Sequence, residues 1–269
     1  MSGAGSGGSM IPKIIHHCWF GRGEMPAMAQ HCVRSWRTHC PEWELRLWNE
    51  DTFDVDAQPF TASAYRSRQF AFVSDYVRAW ALHEHGGVYL DTDVELKQSL
   101  NPFLAHEAFS GFELPGFPFT AVWGARPKHR LSARVLHRYA ETTWSAGEPP
   151  NTTWIADLIA NEYGIDRDHD RAQVGSDGTD TIHIYPSTHF CLDLPVNVAT
   201  HHFLGSWVPR DDGAASCKAS LNGDYHWNAF AKHHESRRVR AVAERLTVAQ
   251  AAQVLLYRLR IWLRVRLKS

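Results

Sequence analysis

Two aspartates spaced two residues apart, Asp91 and Asp93, close the run VSDYVRAWALHEHGGVYLDTDV over residues 73–94. In a regular strand such a pair shares one face, and at a strand end a turn can aim both carboxylates outward. Hard oxygen ligands of this kind suit Mn²⁺ or Mg²⁺, which keep open positions for phosphate oxygens. A cation held there can bridge a diphosphate and neutralise the charge growing on a leaving group. Asp75 and Arg78 lie three residues apart on the preceding segment, on one face if it is helical. As a surface ion pair they would be worth under about 1 kcal/mol. A lone D-x-D tripeptide is common in solvated turns. Here helix, glycine stop, strand and carboxylates follow one another as a single unit.

The elements that must position these groups can be read from pattern. Pro12 to Phe20 reads as a first strand ended by Gly21 and Gly23, and Trp43 to Trp48 as a second. Phe60 to His85 is rich in helix formers and free of Gly and Pro, predicting one helix stopped by Gly86-Gly87. Val88 to Leu90 is a short buried strand, with Asp91 at its carboxyl end. Phe109 to Gly124 suggests strands and loops around a cleft. His129 to Thr143 and Thr153 to Tyr163 read as helices, Ile165 to Asp180 as a surface loop, and Thr181 to Tyr185 as a strand. Strands alternating with helices predict an α/β sandwich around a mainly parallel sheet. In open sheets of this kind ligands gather at the carboxyl ends of the strands.

Composition excludes several classes. The 269 residues carry 28 Lys+Arg and 29 Asp+Glu, a net charge of −1. That balance averages two unlike parts. Residues 236–269 hold nine Lys/Arg and one acid, Glu244, a net of +8, which leaves −9 on the other 235 residues. An acidic body lacks the basic face that bulk nucleic-acid binding needs. Hydrophobic content of 44% is too high for a disordered chain. No apolar run reaches about 18 residues, and His16-His17 interrupts the first apolar stretch, so neither a membrane span nor a signal peptide is expected. The five cysteines form no C-x-x-C pair and are expected as reduced thiols. The early His and Cys residues match no structural zinc spacing. Residues 1–10 read as a flexible Gly/Ser linker or tag remnant, 11–235 as the folded domain and 236–269 as a basic helical tail.

Three blocks carry a resemblance: IPKIIHHCWFG from Ile11, the S-D-Y-V-R…G-G-V-Y-L-D-T-D block, and HHFLGSW from His201. Together they resemble the DXD-containing sugar transferases of glycosyltransferase family 32. That family includes initiating mannosyltransferases and capsular polysaccharide transferases and is distantly similar to the clostridial glucosylating toxins. The resemblance brackets residues 11–207 and is weakest between Glu107 and Ile182. It implies a GT-A fold, a Rossmann-like sheet flanked by helices. It implies Trp19 and Tyr89 beside the nucleotide, although Trp19 reads equally well as a core residue. It implies Ser74, Asp75 and Arg78 at the donor sugar and diphosphate, Asp91 near ribose, sugar or metal, and Asp93 on the metal. His201 best fits a third metal ligand, with His202 its competitor, and Ser206 and Trp207 match groups beside the phosphates. Arg210 stands where many relatives have a downstream lysine.

The implied reaction is metal-dependent transfer, with retention, of a sugar from a nucleotide-diphosphate donor to a glycan or lipid-linked acceptor. The donor is a UDP-sugar in preference to a GDP-sugar, the cation is Mn²⁺ or Mg²⁺, and the product belongs to polysaccharide or glycoconjugate synthesis. A nucleotide-sugar-binding protein without transfer activity and a metal-dependent nucleotide-sugar hydrolase are the alternatives. Asp193 and Glu113 are further acids without an assigned place. In the tail, Thr247 and Gln250 fit a capping box. Leu255, Leu256, Leu259, Trp262 and Leu263 fall on one helical arc, with Arg258, Arg260, Arg264 and Lys268 off it. That helix could dock on its own domain or lie on an anionic membrane, and the membrane is favoured. The expected location is cytoplasmic, peripheral on the inner face of the plasma membrane.

Overall fold

A computed structural model describes residues 10–113, 116–193, 197–204 and 246–266, with side chains through residue 260. Strands β1 (Ile14–Cys18), β2 (Glu44–Trp48), β3 (Gly87–Leu90), β5 (Ala108–Gly111), β6 (Val122–Ala125), β7 (Gln173–Ser176) and β8 (Thr181–Tyr185) form one sheet in the order β2-β1-β3-β6-β5-β8-β7. β2, β1, β3, β5 and β8 share one direction, while β6 and β7 run against them. A separate two-stranded ladder joins β4 (Val94–Leu96) to β9 (Ala199–His201). The class is thus the expected α/β, with a mixed sheet whose strands mostly point one way.

Period-two alternation in the buried strands divides the core into two layers. On β1 and β3, Cys18 and Tyr89 join a cluster with α2 (Pro59–Arg66), α3 (Phe70–His85), α4 (Arg130–Ala140) and α5 (Asn151–Tyr163). Their neighbours Ile15, Val88 and Leu90 face the other way. They pack with α1 (Ala27–His39), the β4–β9 ladder and Phe190 of the short helix α6 (Ser187–Phe190). The sheet is therefore covered on both sides, as a mostly co-directional sheet must be.

The structure corrects two sequence expectations. Residues 60–85 are not one helix: α2 ends at Arg66 and α3 starts at Phe70. The backbone amides of Ser67, Arg68 and Gln69 turn back to Ser63, Tyr65 and Ala64, with Arg68 at φ +58°, so the chain reverses without any glycine to announce it. The ring contact between Tyr65 and Phe70, 5.4 Å between centroids, packs the two helix ends together. Residues 165–180 are not all loop either, because β7 pairs antiparallel with β8 at the sheet edge. This edge strand, QVGS, buries only Gly175, which hides it among loop residues.

The turn from α3 into β3 needs both of its glycines. Gly86 has φ +64° and Gly87 φ +110°, a region that side chains disfavour. A β-carbon on Gly87 would also meet the Ile14 carbonyl oxygen at 2.7 Å, and one on Gly86 the Pro127 ring at 2.6 Å. Buried His16 fastens this turn to the sheet: Nε2 lies 2.7 Å from the Gly86 carbonyl oxygen and Nδ1 lies 3.1 Å from the Trp48 indole nitrogen. The indole N–H can only donate, so Nδ1 accepts and Nε2 carries the proton that the carbonyl receives. His16 also stacks with the rings of Trp48 and His85.

The tail contains a helix, α7 (Val248–Arg266). Thr247 and Gln250 cap it reciprocally, the Thr247 amide donating to Gln250 Oε1 at 2.8 Å and the Gln250 amide to Thr247 Oγ1 at 3.3 Å. Among the described residues no helix is long and apolar enough to cross a membrane. Cys18, Cys32, Cys40 and Cys191 are buried and form no disulfide among the described residues.

Burial pushes His16 down to about 3, helped by the charges of Arg46, His85 and His17 and opposed by its bond to Gly86. His17, on the other face against Trp36, is pushed down to about 4 by burial and by Arg37. Both rings are neutral in the fold, whereas in the unfolded chain they bind protons below about pH 6.5. Stability must therefore fall as pH drops from 7 toward 4, by about 1.4 kcal/mol per pH unit for each such histidine below pH 6.5. Urea denaturation across that range should show the decline, and His16→Gln should flatten it.

Candidate active site

β1, β3 and β5 are co-directional, so Trp19, Asp91 and Glu113 all leave the same carboxyl edge of the sheet. Asp91 is the first residue after β3, and its amide donates to the Ala121 carbonyl oxygen at 3.0 Å. The chain then turns, with the Val94 amide donating to the Asp91 carbonyl at 2.9 Å, and enters β4. That turn sets Asp93 between the main sheet and the ladder. In the ladder Val94 is paired with His201, and the His202 amide donates to the Asp93 carbonyl at 2.9 Å.

The result is a cluster that could hold a cation: the ligand atoms of Asp91, Asp93 and His201 all lie within 4.8 Å of one another. His201 Nε2 is 3.5 Å from Asp93 Oδ1, and Asp93 Oδ2 accepts the Leu204 amide at 2.8 Å. Burial alone would raise the Asp93 carboxyl. The His201 charge and the hydrogen bonds from His201 and Leu204 outweigh it and hold Asp93 below the usual range. The same pair works in reverse on His201: burial disfavours its charge, yet Asp93 and Glu113 keep it well above the ordinary imidazole value. An Asp₂His donor set of this spacing fits Mn²⁺ well, and it fits Mg²⁺ less well because the imidazole is a softer ligand.

His202 points elsewhere. Its Nε2 lies 2.8 Å from Glu95 Oε2, and Glu95 Oε1 in turn faces His31 Nε2 at 3.3 Å. Of the two adjacent histidines, only His201 belongs to the cluster with the aspartates.

Beneath the cluster sits Arg78. Its Nη2 is 2.8 Å from Asp75 Oδ1 and 3.1 Å from Asp91 Oδ1, and its guanidinium lies over the Tyr89 ring at 4.7 Å. Arg78 and Asp75 are both almost fully buried, so the small value of a surface ion pair does not apply to them. Burial pushes Asp75 up to about 6 despite the Arg78 charge, with Asp91 adding to the rise. The remaining predicted residues take up supporting places. Ser74 Oγ donates to the Phe70 carbonyl at 3.1 Å. Trp19, just past β1, is half-buried and closes its loop by donating to the Gly23 carbonyl at 2.6 Å. Ser206, Trp207 and Arg210 lie outside the described residues.

Sequence reasoning left Glu113 without a place, and the fold gives it one. Burial pushes its carboxyl up, and the charges that act on it, His201, Asp91, Asp93 and Arg78, are those of the cluster, so it lies in the cluster's neighbourhood. Its backbone carbonyl receives the Cys191 thiol at 3.3 Å. No spacing links Glu113 to residues 91–93. Only the parallel placement of β5 in the sheet brings it there.

Removing one member of a buried ion pair strands the other. Arg78→Met should lower stability by about 3 kcal/mol or more in urea denaturation. Asp75→Asn combined with Arg78→Met should cost clearly less than the two single changes added together, because they share one interaction.

Residues 26–110 match a family model described as glycosyltransferase sugar-binding region containing DXD motif. The matched stretch includes Asp75, Arg78, Tyr89, Asp91 and Asp93 and ends before Glu113 and His201. The chain is 32% identical over 130 residues to inositol phosphoceramide mannosyltransferase 3 of Schizosaccharomyces pombe, covering 47% of this chain and 36% of the relative. It is 28% identical over 135 residues to mannosyl phosphorylinositol ceramide synthase of Saccharomyces cerevisiae, covering 47% and 35%. The chain thus spans about a third of the length of these relatives. Among solved structures it is similar to a glycosyltransferase designated PaToxG, at 14% identity and a TM-score of 0.44, covering 57% of this chain and 70% of that one. Asp91 and Asp93 fall in the last third of the matched segment, and over that segment the chain is similar to the DXD-containing glycosyltransferases.

Proposed function

We propose that this protein is a metal-dependent, retaining glycosyltransferase that moves a hexose from a nucleotide-diphosphate donor to a glycan or lipid-linked acceptor. The observation that carries the reading is the convergence of Asp91, Asp93 and His201 at the carboxyl edge of the sheet. Those three residues would hold Mn²⁺ or Mg²⁺. A cation bound there supplies positive charge against the diphosphate as it departs.

The chain's own groups do the rest. Asp93 is fixed by the Leu204 amide and His201, so it presents an ordered, ionised carboxylate. Sequence resemblance put Arg78 against the diphosphate. With its Nη2 bound to two carboxylates, its role in our reading is to orient Asp91 and Asp75 toward the donor sugar. Glu113 is biased toward the neutral form, which suits a hydrogen bond to a sugar hydroxyl better than nucleophilic attack. Retention then fits front-face attack, in which a leaving-group oxygen takes the acceptor's proton as the glycosidic bond forms. Trp19 takes the base side in this scheme, with Ser206 and Trp207 assigned to the phosphates by resemblance, whereas the buried Tyr89 ring braces Arg78 instead of touching the nucleotide.

Mannose is the first sugar to test, because the curated relatives are named for its transfer. The same names make an inositol-phosphate ceramide lipid the first acceptor to test. Such an acceptor places the reaction at a membrane surface, with the protein peripheral on its cytoplasmic face. UDP- and GDP-linked hexoses should be screened side by side with Mn²⁺, reading nucleotide release with and without acceptor. Asp93→Ala and His201→Ala should each reduce turnover by about 10² or more, with unchanged far-UV circular dichroism. Turnover that survives both Asp93→Ala and EDTA would overturn the metal-dependent reading.

A further inference from the structure

Helix α7 presents its apolar residues to solvent. Leu255 is 71% exposed, Leu256 55% and Leu259 50%, and Val248 is also exposed. At 3.6 residues per turn these four fall on one side of the helix. Tyr257 falls on the opposite side, and there its hydroxyl donates to Asp193 Oδ2. Asp193 is itself held by Lys97 Nζ at 2.5 Å, just past β4, and by Thr200 Oγ1 at 3.3 Å, within β9. The Tyr257 hydrogen bond ties α7 to the body, and the leucine side faces away. Arg258 and Arg260 flank the leucine arc, one on each shoulder. Acids are nearly absent: residues 236–269 contain nine Lys/Arg and the single Glu244.

We infer that α7 is an in-plane docking element for an anionic lipid surface, with Leu255, Leu256 and Leu259 entering the headgroup–acyl boundary. The two observations point to the same occupant. A leucine arc edged by arginines matches an interface that is apolar within and anionic at its rim. A second copy of the chain would bring a like-charged +8 segment against this one. The Tyr257–Asp193 contact adds orientation, because it anchors the docked helix to the ladder that carries His201. Docking of α7 thus fixes which way that ladder faces relative to the lipid.

The test uses the full chain with vesicles of phosphatidylcholine alone or with 30% phosphatidylserine, read by co-sedimentation. The probe composition is roughly that of an anionic cytoplasmic leaflet. Binding is expected to be at least about tenfold tighter to the anionic vesicles and to weaken as salt rises from 0.1 to about 0.5 M. The double variant Leu255→Asp/Leu259→Asp should lose vesicle binding while its melting temperature stays the same, since both positions are exposed. A second variant truncated after Leu246 should behave identically. Equal binding by wild type and the double variant would overturn the inference. So would a concentration-dependent dimer in sedimentation velocity that the double variant abolishes, or slow amide exchange across residues 248–260 in lipid-free protein without vesicle binding. Vesicle binding is read without donor or metal, so its outcome is independent of whether the chain transfers sugar.

Discussion

A guanidinium buried under the carboxyl edge of the sheet is the constraint around which the site is arranged. Arg78 cannot sit in the interior unless carboxylates neutralise it, because an unpaired charge there costs several kcal/mol. Asp75 supplies one partner from the same helix and Asp91 supplies the other from the end of β3. The Tyr89 ring completes the enclosure. These contacts lock α3 onto the strand that follows it, so the Gly86-Gly87 turn and the His16 bond to Gly86 are parts of the same fastening. Asp91 thereby points where the helix holds it, and Asp93, two residues on, follows.

Much of this was legible in the sequence, because helix, glycine stop, buried strand and paired acids are encoded within residues 73–94. The roles of Asp75 and Arg78 were less so, since an i,i+3 ion pair looks the same whether it is exposed or buried. Tertiary packing decides between the two, here through α4 and the sheet. Choosing His201 over His202 needed the ladder register, in which His201 stands opposite Val94 and His202 is drawn to Glu95. Glu113 could not be found by spacing at all, for it reaches the site only through the order of strands in the sheet.

The two misread elements fail for related reasons. The break at Ser67 to Gln69 uses a non-glycine residue, Arg68, in the left-handed region, and no composition signal marks such a position. β7 is a four-residue edge strand, QVGS, that buries only Gly175, so its sequence resembles the loop around it. β7 lies at the far edge of the sheet, whereas the break at Ser67 to Gln69 sits beside the chain leaving β1, where the Phe70 ring closes on Gly21. The buried neutral histidines His16 and His17 belong to the scaffold. His16 hydrogen-bonds the turn to the sheet and His17 packs its ring edge-on against Trp36, and neither sits with the acidic cluster.

The β4–β9 ladder has only three residue pairs and is hydrogen-bonded apart from the main sheet. Asp91 is tied to the large sheet and His201 to this small one, so the cluster straddles a seam between a rigid body and a ribbon. An ion held by Asp91, Asp93 and His201 would therefore tie the ribbon to the large sheet, so its binding would tighten a contact that three ladder pairs alone support.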